Sequence, residues 1–237
     1  MSERDLIGYG AIPPEVIWPN GARVAVAVAV NFEEGAELQV GDGDPVSERV
    51  GEIVSVVKEG SRDQGQEQLF AYGTRVGLWR FLDALRRTET PATFLMCGRA
   101  VERSPMLARA ITDAGHEAAN HGWTWRPHSD YADAATERQD LLRATDVIEQ
   151  ATGQRPRGFF CRGSESAWTR TLLAGGCSGG FSLAPGGATH FRSRRGARSL
   201  PTTRVGFPSK GHKRARCVEH LLVPGPGNGS EPFRPFV

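Results

Sequence analysis

The chain has 237 residues, 39% of them hydrophobic and 24% charged, an ordinary soluble composition with room for one medium domain, with or without an appendage. No apolar run approaches the roughly 20 residues of a membrane helix, and the first residues lack the basic and apolar regions of a secretory leader, so a cytoplasmic protein with no membrane partner is expected. The net charge of +2 conceals an asymmetry: from Gly175 on, eight Arg and two Lys stand against two Glu, a net +8, which leaves −6 for residues 1–174.

Cys97, Cys161, Cys177 and Cys217 are too widely and irregularly spaced for a zinc pattern or a disulfide framework, and read as buried free thiols. Residues 1–22, punctuated by Pro and Gly, read as an irregular arm. Arg23–Val30 alternates Val with Ala and holds no polar residue after Arg23. This predicts a strand buried on both faces. Asn31-Phe32-Glu33-Glu34-Gly35 then lies at its C-terminal end.

Residues 36–60 read as a loop and a helix that Pro45 opens, with Val50, Ile53, Val54 and Val57 at helical spacing. Arg62–Gln68 reads as a polar connection. Helical periodicity returns over Gly77–Arg87, and Ala92–Cys97 is a second strand. Ser104-Pro105 starts a helix that stops at Gly115. His116–Asn120 is a third strand, with His121 at its end. Ala134–Ala151 is a long amphipathic helix closed by Gly153. Gly158–Cys161 is a fourth strand, and Ser164–Ala174 a last helix. Strand and helix alternate four times, so an α/β fold with a parallel sheet, closed as a distorted (β/α) barrel, is expected.

In such a barrel the strand C-termini share one mouth, which would gather Glu33, Glu34, His121 and Arg162. Adjacent on a strand end, Glu33 and Glu34 point in different directions. One can act as a general base while the other holds a metal, an Arg or backbone. His121 can be a ligand, a base or a hydrogen-bonded core histidine.

Together these segments resemble the polysaccharide deacetylase superfamily, the NodB-homology fold, and within it the allantoinase-type branch. The resemblance runs from Arg4-Asp5-Leu6-Ile7-Gly8-Tyr9-Gly10 and Trp18-Pro19 through Asn31–Gly35, Tyr72-Gly73-Thr74-Arg75 and Trp79-Arg80. It continues in Asn120-His121-Gly122-Trp123-Thr124-Trp125, Arg162-Gly163-Ser164 and Thr169-Arg170. It implies Glu33 at the position of the catalytic base and Glu34 at that of a metal-binding acid. His121 falls on the first of two metal-ligating histidines. Trp125 stands where the second would be, and an indole donates only and cannot ligate a metal. The resemblance therefore implies a metal-independent hydrolase of a non-peptide C–N bond. Glu33, Glu34 and His121 would be catalytic. Arg75, Trp125 and Arg162 would bind a small cyclic amide such as allantoin. The alternatives are a metal-dependent N-deacetylase of acetylated sugars, holding a divalent metal such as zinc, and a non-catalytic truncated remnant or binding module.

After Leu173 no family motif matches, including the late histidine that acts as general acid. Residues 175–237 hold 12 Gly and 7 Pro, the level of low-complexity sequence. Residues 1–174 are expected to form the partial barrel. The basic tail is expected to be irregular and not to complete it, as a reading-frame slip near residue 175 would produce. Without interleaved aromatics or a binding motif, that tail argues against a nucleic-acid partner. A small-molecule substrate is the expected partner, and a homo-oligomer stays open.

Overall fold

The computed structural model describes residues 9–12, 15, 18, 21–48 and 56–175. The tail from residue 176 on, most of the N-terminal arm, and Val50, Ile53 and Val54 of the expected first helix lie outside the described residues. Three strands, β1 (Ala29–Phe32), β2 (Thr93–Met96) and β3 (Glu117–Asn120), form a parallel sheet in the order β1-β2-β3. Ala29 pairs with Thr93 and Thr93 with Glu117, so the three strands end level at Phe32, Met96 and Asn120. That alignment brings the segments after Phe32, Met96 and Asn120 to one end of the sheet.

β1 is shorter than the Val/Ala alternation predicts, and Val26 is 78% exposed. Burial on both faces needs a layer on each side. Among the described residues β1 pairs only with β2 and forms the sheet edge. The fourth strand also shrinks: Gly158–Cys161 makes only a parallel bridge, Asn120 to Phe159, and a second bridge joins Pro127 to Arg162.

Helices pack against the sheet as the periodicity predicts: α2 (Leu78–Arg87), α4 (Pro105–Asp113) and α5 (Ala134–Thr152). Their core residues Leu82, Ile111 and Ile148 meet Phe94 and Met96 of β2. Of these, Ile111, Ile148, Phe94 and Met96 are completely buried, each worth about 1.5–3 kcal/mol on transfer from water. Asp133 caps α5 by accepting from the Thr136 N–H at 2.8 Å, and Gly153 ends it in the left-handed conformation.

Two helices depart from the sequence reading. The polar stretch after Arg62 is not a connection but the start of α1 (Gln64–Tyr72). Asp63 caps it through the Gln66 N–H, and Arg62 forks onto Glu67. The Asp-x-x-Gln spacing is a capping signal that an apolar-periodicity reading passes over. A six-residue helix, α3 (Gly98–Arg103), follows β2 directly. Its first free N–H groups, those of Gly98 and Arg99, donate to the carbonyls of Gly122 and Trp123. The strand-end loop thus satisfies the helix terminus.

Between α1 and α2 the backbone passes through a π-helical turn, Gly73–Gly77. The expected helix from Pro45 is absent from residues 45–48, where the backbone is bent and non-helical. Instead residues 35–44 fold back on α3: Arg99 pairs with Asp44 at 3.0 Å, and Arg103 with Asp42 at 2.7 Å. A last helix, α6, spans Thr169–Ala174 and begins five residues later than expected. Among the described residues no helix is long and apolar enough to cross a membrane. Cys97 and Cys161 are free and buried.

Candidate active site

The sheet end carries Glu33, directly after β1, and His121, directly after β3. His121 Nε2 lies 2.8 Å from Glu33 Oε1. Its other ring nitrogen, Nδ1, bonds the Phe160 carbonyl. A carbonyl can only accept, so Nδ1 carries the proton. In a neutral imidazole Nε2 is then bare. The 2.8 Å contact with Glu33 requires one more proton, held by the imidazole or by the carboxyl. The ring is almost wholly buried, stacked on Phe160 with centroids 6.0 Å apart, whereas Glu33 keeps 15% of its side chain exposed.

The turn that presents His121 is fixed from two sides. Asn120, completely buried, accepts from the Gly122 N–H at 2.7 Å and donates to Leu141 O and Thr145 Oγ1 of α5. Gly122 has φ +85°, the left-handed region that suits glycine.

Trp125 and Arg162 form a second pair. The guanidinium sits 3.7 Å above the indole ring centroid and donates to the Trp125 carbonyl and to Glu48 Oε1, both at 3.0 Å. Phe70 of α1 meets the same indole edge-on at 6.5 Å. The two pairs share segments: the Trp125 N–H donates to the Ala36 carbonyl, three residues past Glu33. Arg162 lies two residues past Phe160.

Glu34 turns away from this contact and packs on the backbone of Gly73, at the head of the π-helical turn. Burial raises its carboxyl above the usual range, partly offset by the N–H groups of Glu34 and Glu33. Arg75, on the same turn, is exposed, and among the described residues its side chain makes no ion pair. The structure therefore joins Glu33 to His121 and Trp125 to Arg162, sets Glu34 against Gly73, and leaves Arg75 outside both pairs.

Three participants escape the sequence reading. Glu48, the ion-pair partner of Arg162, lies 114 positions away, with no local signal. The Phe160 carbonyl is a main-chain group. Glu37, 2% exposed, accepts from Gly35 N–H and Gln39 and shapes the loop after Glu33. Burial raises its carboxyl too.

The donor set does not fit a catalytic zinc. Such a site takes three protein ligands and keeps a fourth position open. Here both His121 nitrogens are engaged, Trp125 supplies no lone pair, and among the described residues no cluster of three or more acidic, His or Cys side chains could hold an ion.

Residues 66–178 match the family model for polysaccharide deacetylase. A Schizosaccharomyces pombe protein assigned as a polysaccharide deacetylase is 30% identical over 176 residues, 72% of this chain and 54% of that protein. The matched part of the chain, residues 66–178, is a polysaccharide deacetylase domain. The crystal structure of PuuE allantoinase is similar to this chain at 37% identity and a TM-score of 0.67, covering 76% of this chain and 59% of that one. A Pseudomonas aeruginosa PAO1 structure assigned as a polysaccharide deacetylase shows 38% identity and a TM-score of 0.65, over 73% of this chain and 57% of that one. The chain thus spans about half the length of the relatives it matches.

Proposed function

We propose that the protein hydrolyses a non-peptide C–N bond in a small cyclic amide, allantoin being the first candidate, without a catalytic metal. The observation that carries this reading is the Glu33–His121 contact of 2.8 Å, together with Trp125 at the position where the family resemblance would put a second histidine ligand. With the shared proton on His121, Glu33 is a carboxylate able to take a proton from water. The hydroxide so formed adds to the ring carbonyl, and the tetrahedral oxyanion needs a donor. We assign that donation to the Arg162 guanidinium, which is held flat on Trp125. With a proton on Glu33, the same carboxyl returns it to the departing nitrogen, and the ring C–N bond breaks. One carboxyl thus serves as base and then acid, so the step needs no separate general acid. Trp125 and Phe70 offer flat apolar walls for a planar ring. The likeness to PuuE allantoinase supports this substrate class.

The second reading, N-deacetylation of an acetylated sugar, draws on the deacetylase relatives. One assay separates them. The chain is incubated with allantoin and, separately, with N-acetylglucosamine oligomers, with and without a chelator. Ring opening of allantoin that survives the chelator supports the proposal. Acetate release that needs added zinc overturns it. Allantoin binding without turnover supports the non-catalytic alternative.

A further inference from the structure

Behind the His121 turn lies a second buried histidine–carboxylate pair. His128 and Glu137 are 1% and 0% exposed, and His128 Nδ1 lies 2.8 Å from Glu137 Oε1. The Ser166 and Thr169 hydroxyls also donate to Glu137. Ser166 Oγ in turn accepts from the Trp168 and Thr169 N–H groups. Tyr131 and Phe159 close on the His128 ring edge-on at 5.0 and 5.2 Å. The remaining nitrogen, Nε2, has no hydrogen-bond partner. It stands 2.8 Å from where a Cβ on Gly122 would be, so it abuts the backbone of the residue that follows His121.

We propose that His128 and Glu137 are positioning residues for the candidate active site, a role that rests on the function proposed above. The segments that present His121, Trp125 and Arg162 meet this pair. The His128 ring props Gly122, and therefore the orientation of the neighbouring His121. Its own loop, residues 126–131, continues directly from Trp125. Glu137 clasps the hydroxyls of the segment that follows Arg162. One buried carboxylate on α5 thus fixes the spacing between the His121–Trp125 turn and the Arg162 segment. A buried carboxylate with three donors is costly to leave half-satisfied, so loss of one donor loosens both segments together. A shift of about 1 Å in such a frame costs on the order of 10²-fold in rate.

The test has one readout that needs no substrate. Full-length chain labelled with 15N-histidine is compared with His128→Phe, which keeps a ring and loses the bond to Glu137, and His128→Gln, whose amide can still donate. The His121 Nδ1–H resonance, assigned by its loss in His121→Gln, reports the bond to Phe160. It is expected to shift or broaden in His128→Phe and to recover in His128→Gln. With allantoin as the probe, kcat is expected to fall about 10²-fold in His128→Phe with KM little changed. An unmoved His121 resonance in folded His128→Phe overturns the proposal whatever the substrate proves to be. If His128→Phe does not fold, Ser166→Ala carries the test by removing one donor to Glu137. A displaced His121 resonance there supports the proposal, and an unchanged one overturns it. A moved resonance in a chain inert to allantoin upholds the positioning role and counts against the proposed reaction alone.

Discussion

The Glu34 carboxyl rests on Gly73, and a Cβ added at Gly73 would stand 2.6 Å from Glu34 Cδ. The π-helical turn therefore opens on glycine because a carboxyl fills the space where a side chain would be. Gly73→Ala should push Glu34 out of its buried position. Ala gains about 0.5–1 kcal/mol of helix propensity over Gly, which offsets part of the displacement, so the melting temperature should change little. Turnover of allantoin should fall more than the stability does. Unaltered turnover in a folded Gly73→Ala would show that Glu34 has no part in the reaction.

Glu33→Gln is expected to fold normally. The Gln amide can donate to His121 Nε2 and so replace the shared proton in the 2.8 Å contact. Turnover should drop by roughly 10²–10⁴-fold, the usual contribution of a general base, with substrate binding retained. Steady-state kinetics together with calorimetric binding measure both. Near-normal turnover would move the base elsewhere.

Arg162→Lys should lower kcat for allantoin about tenfold, because an ammonium cannot both lie flat on Trp125 and donate to the Trp125 carbonyl and Glu48. Glu48→Gln, which keeps the stacking and removes only the ion pair, should have a smaller effect. Equal losses in the two variants would mean that the ion pair, not the stacked geometry, holds the guanidinium.

Burial holds His128 below its ordinary 6.5, although the Glu137 carboxylate beside it pulls upward. The unfolded chain therefore binds a proton at this residue more readily than the fold does. Stability from this group is present above 6.5 and is lost as pH falls through 6.5 toward the folded value. His116 is shifted the same way by burial. The raised carboxyls of Glu34, Glu37 and Glu117 have the opposite sign, since their cost fades as pH falls toward 4.5. Urea unfolding across this range should show a shallower acid loss below 6.5 in His128→Gln than in the natural chain. An identical slope would show that His128 does not remain neutral in the fold.

Asp63→Ala should cost about 1 kcal/mol, the usual worth of an N-cap side chain, by freeing the Gln66 N–H that Asp63 accepts from at 3.1 Å. Thermal melts measure it. No change would mean that the Arg62–Glu67 fork alone starts α1.

Periodicity made α2, α4 and α5 legible, because a helix on a sheet must bury one stripe and the apolar residues mark it. The same reasoning placed β2 and β3. It also placed Glu33 and His121 at strand ends, and motif spacing drew attention to Trp125 and Arg162. Local order misled where tertiary contacts overrode it. The Val/Ala run before Ala29 reads as buried on both faces, yet burial depends on neighbouring layers that composition does not supply. The short helix α3 has no stripe of its own and begins where Gly122 and Trp123 offer carbonyls.

Residue identities alone determined which chemical groups the protein owns: two adjacent carboxylates, an imidazole, an indole in place of a second ligand, and a guanidinium. Only the tertiary structure decided their partners. Glu33, not Glu34, met His121. The Phe160 carbonyl set which imidazole nitrogen carries a proton, and Glu48 came from 114 positions away to hold Arg162. Hydrogen bonds act over about 3 Å, and only the packing of distant segments brings such groups that close.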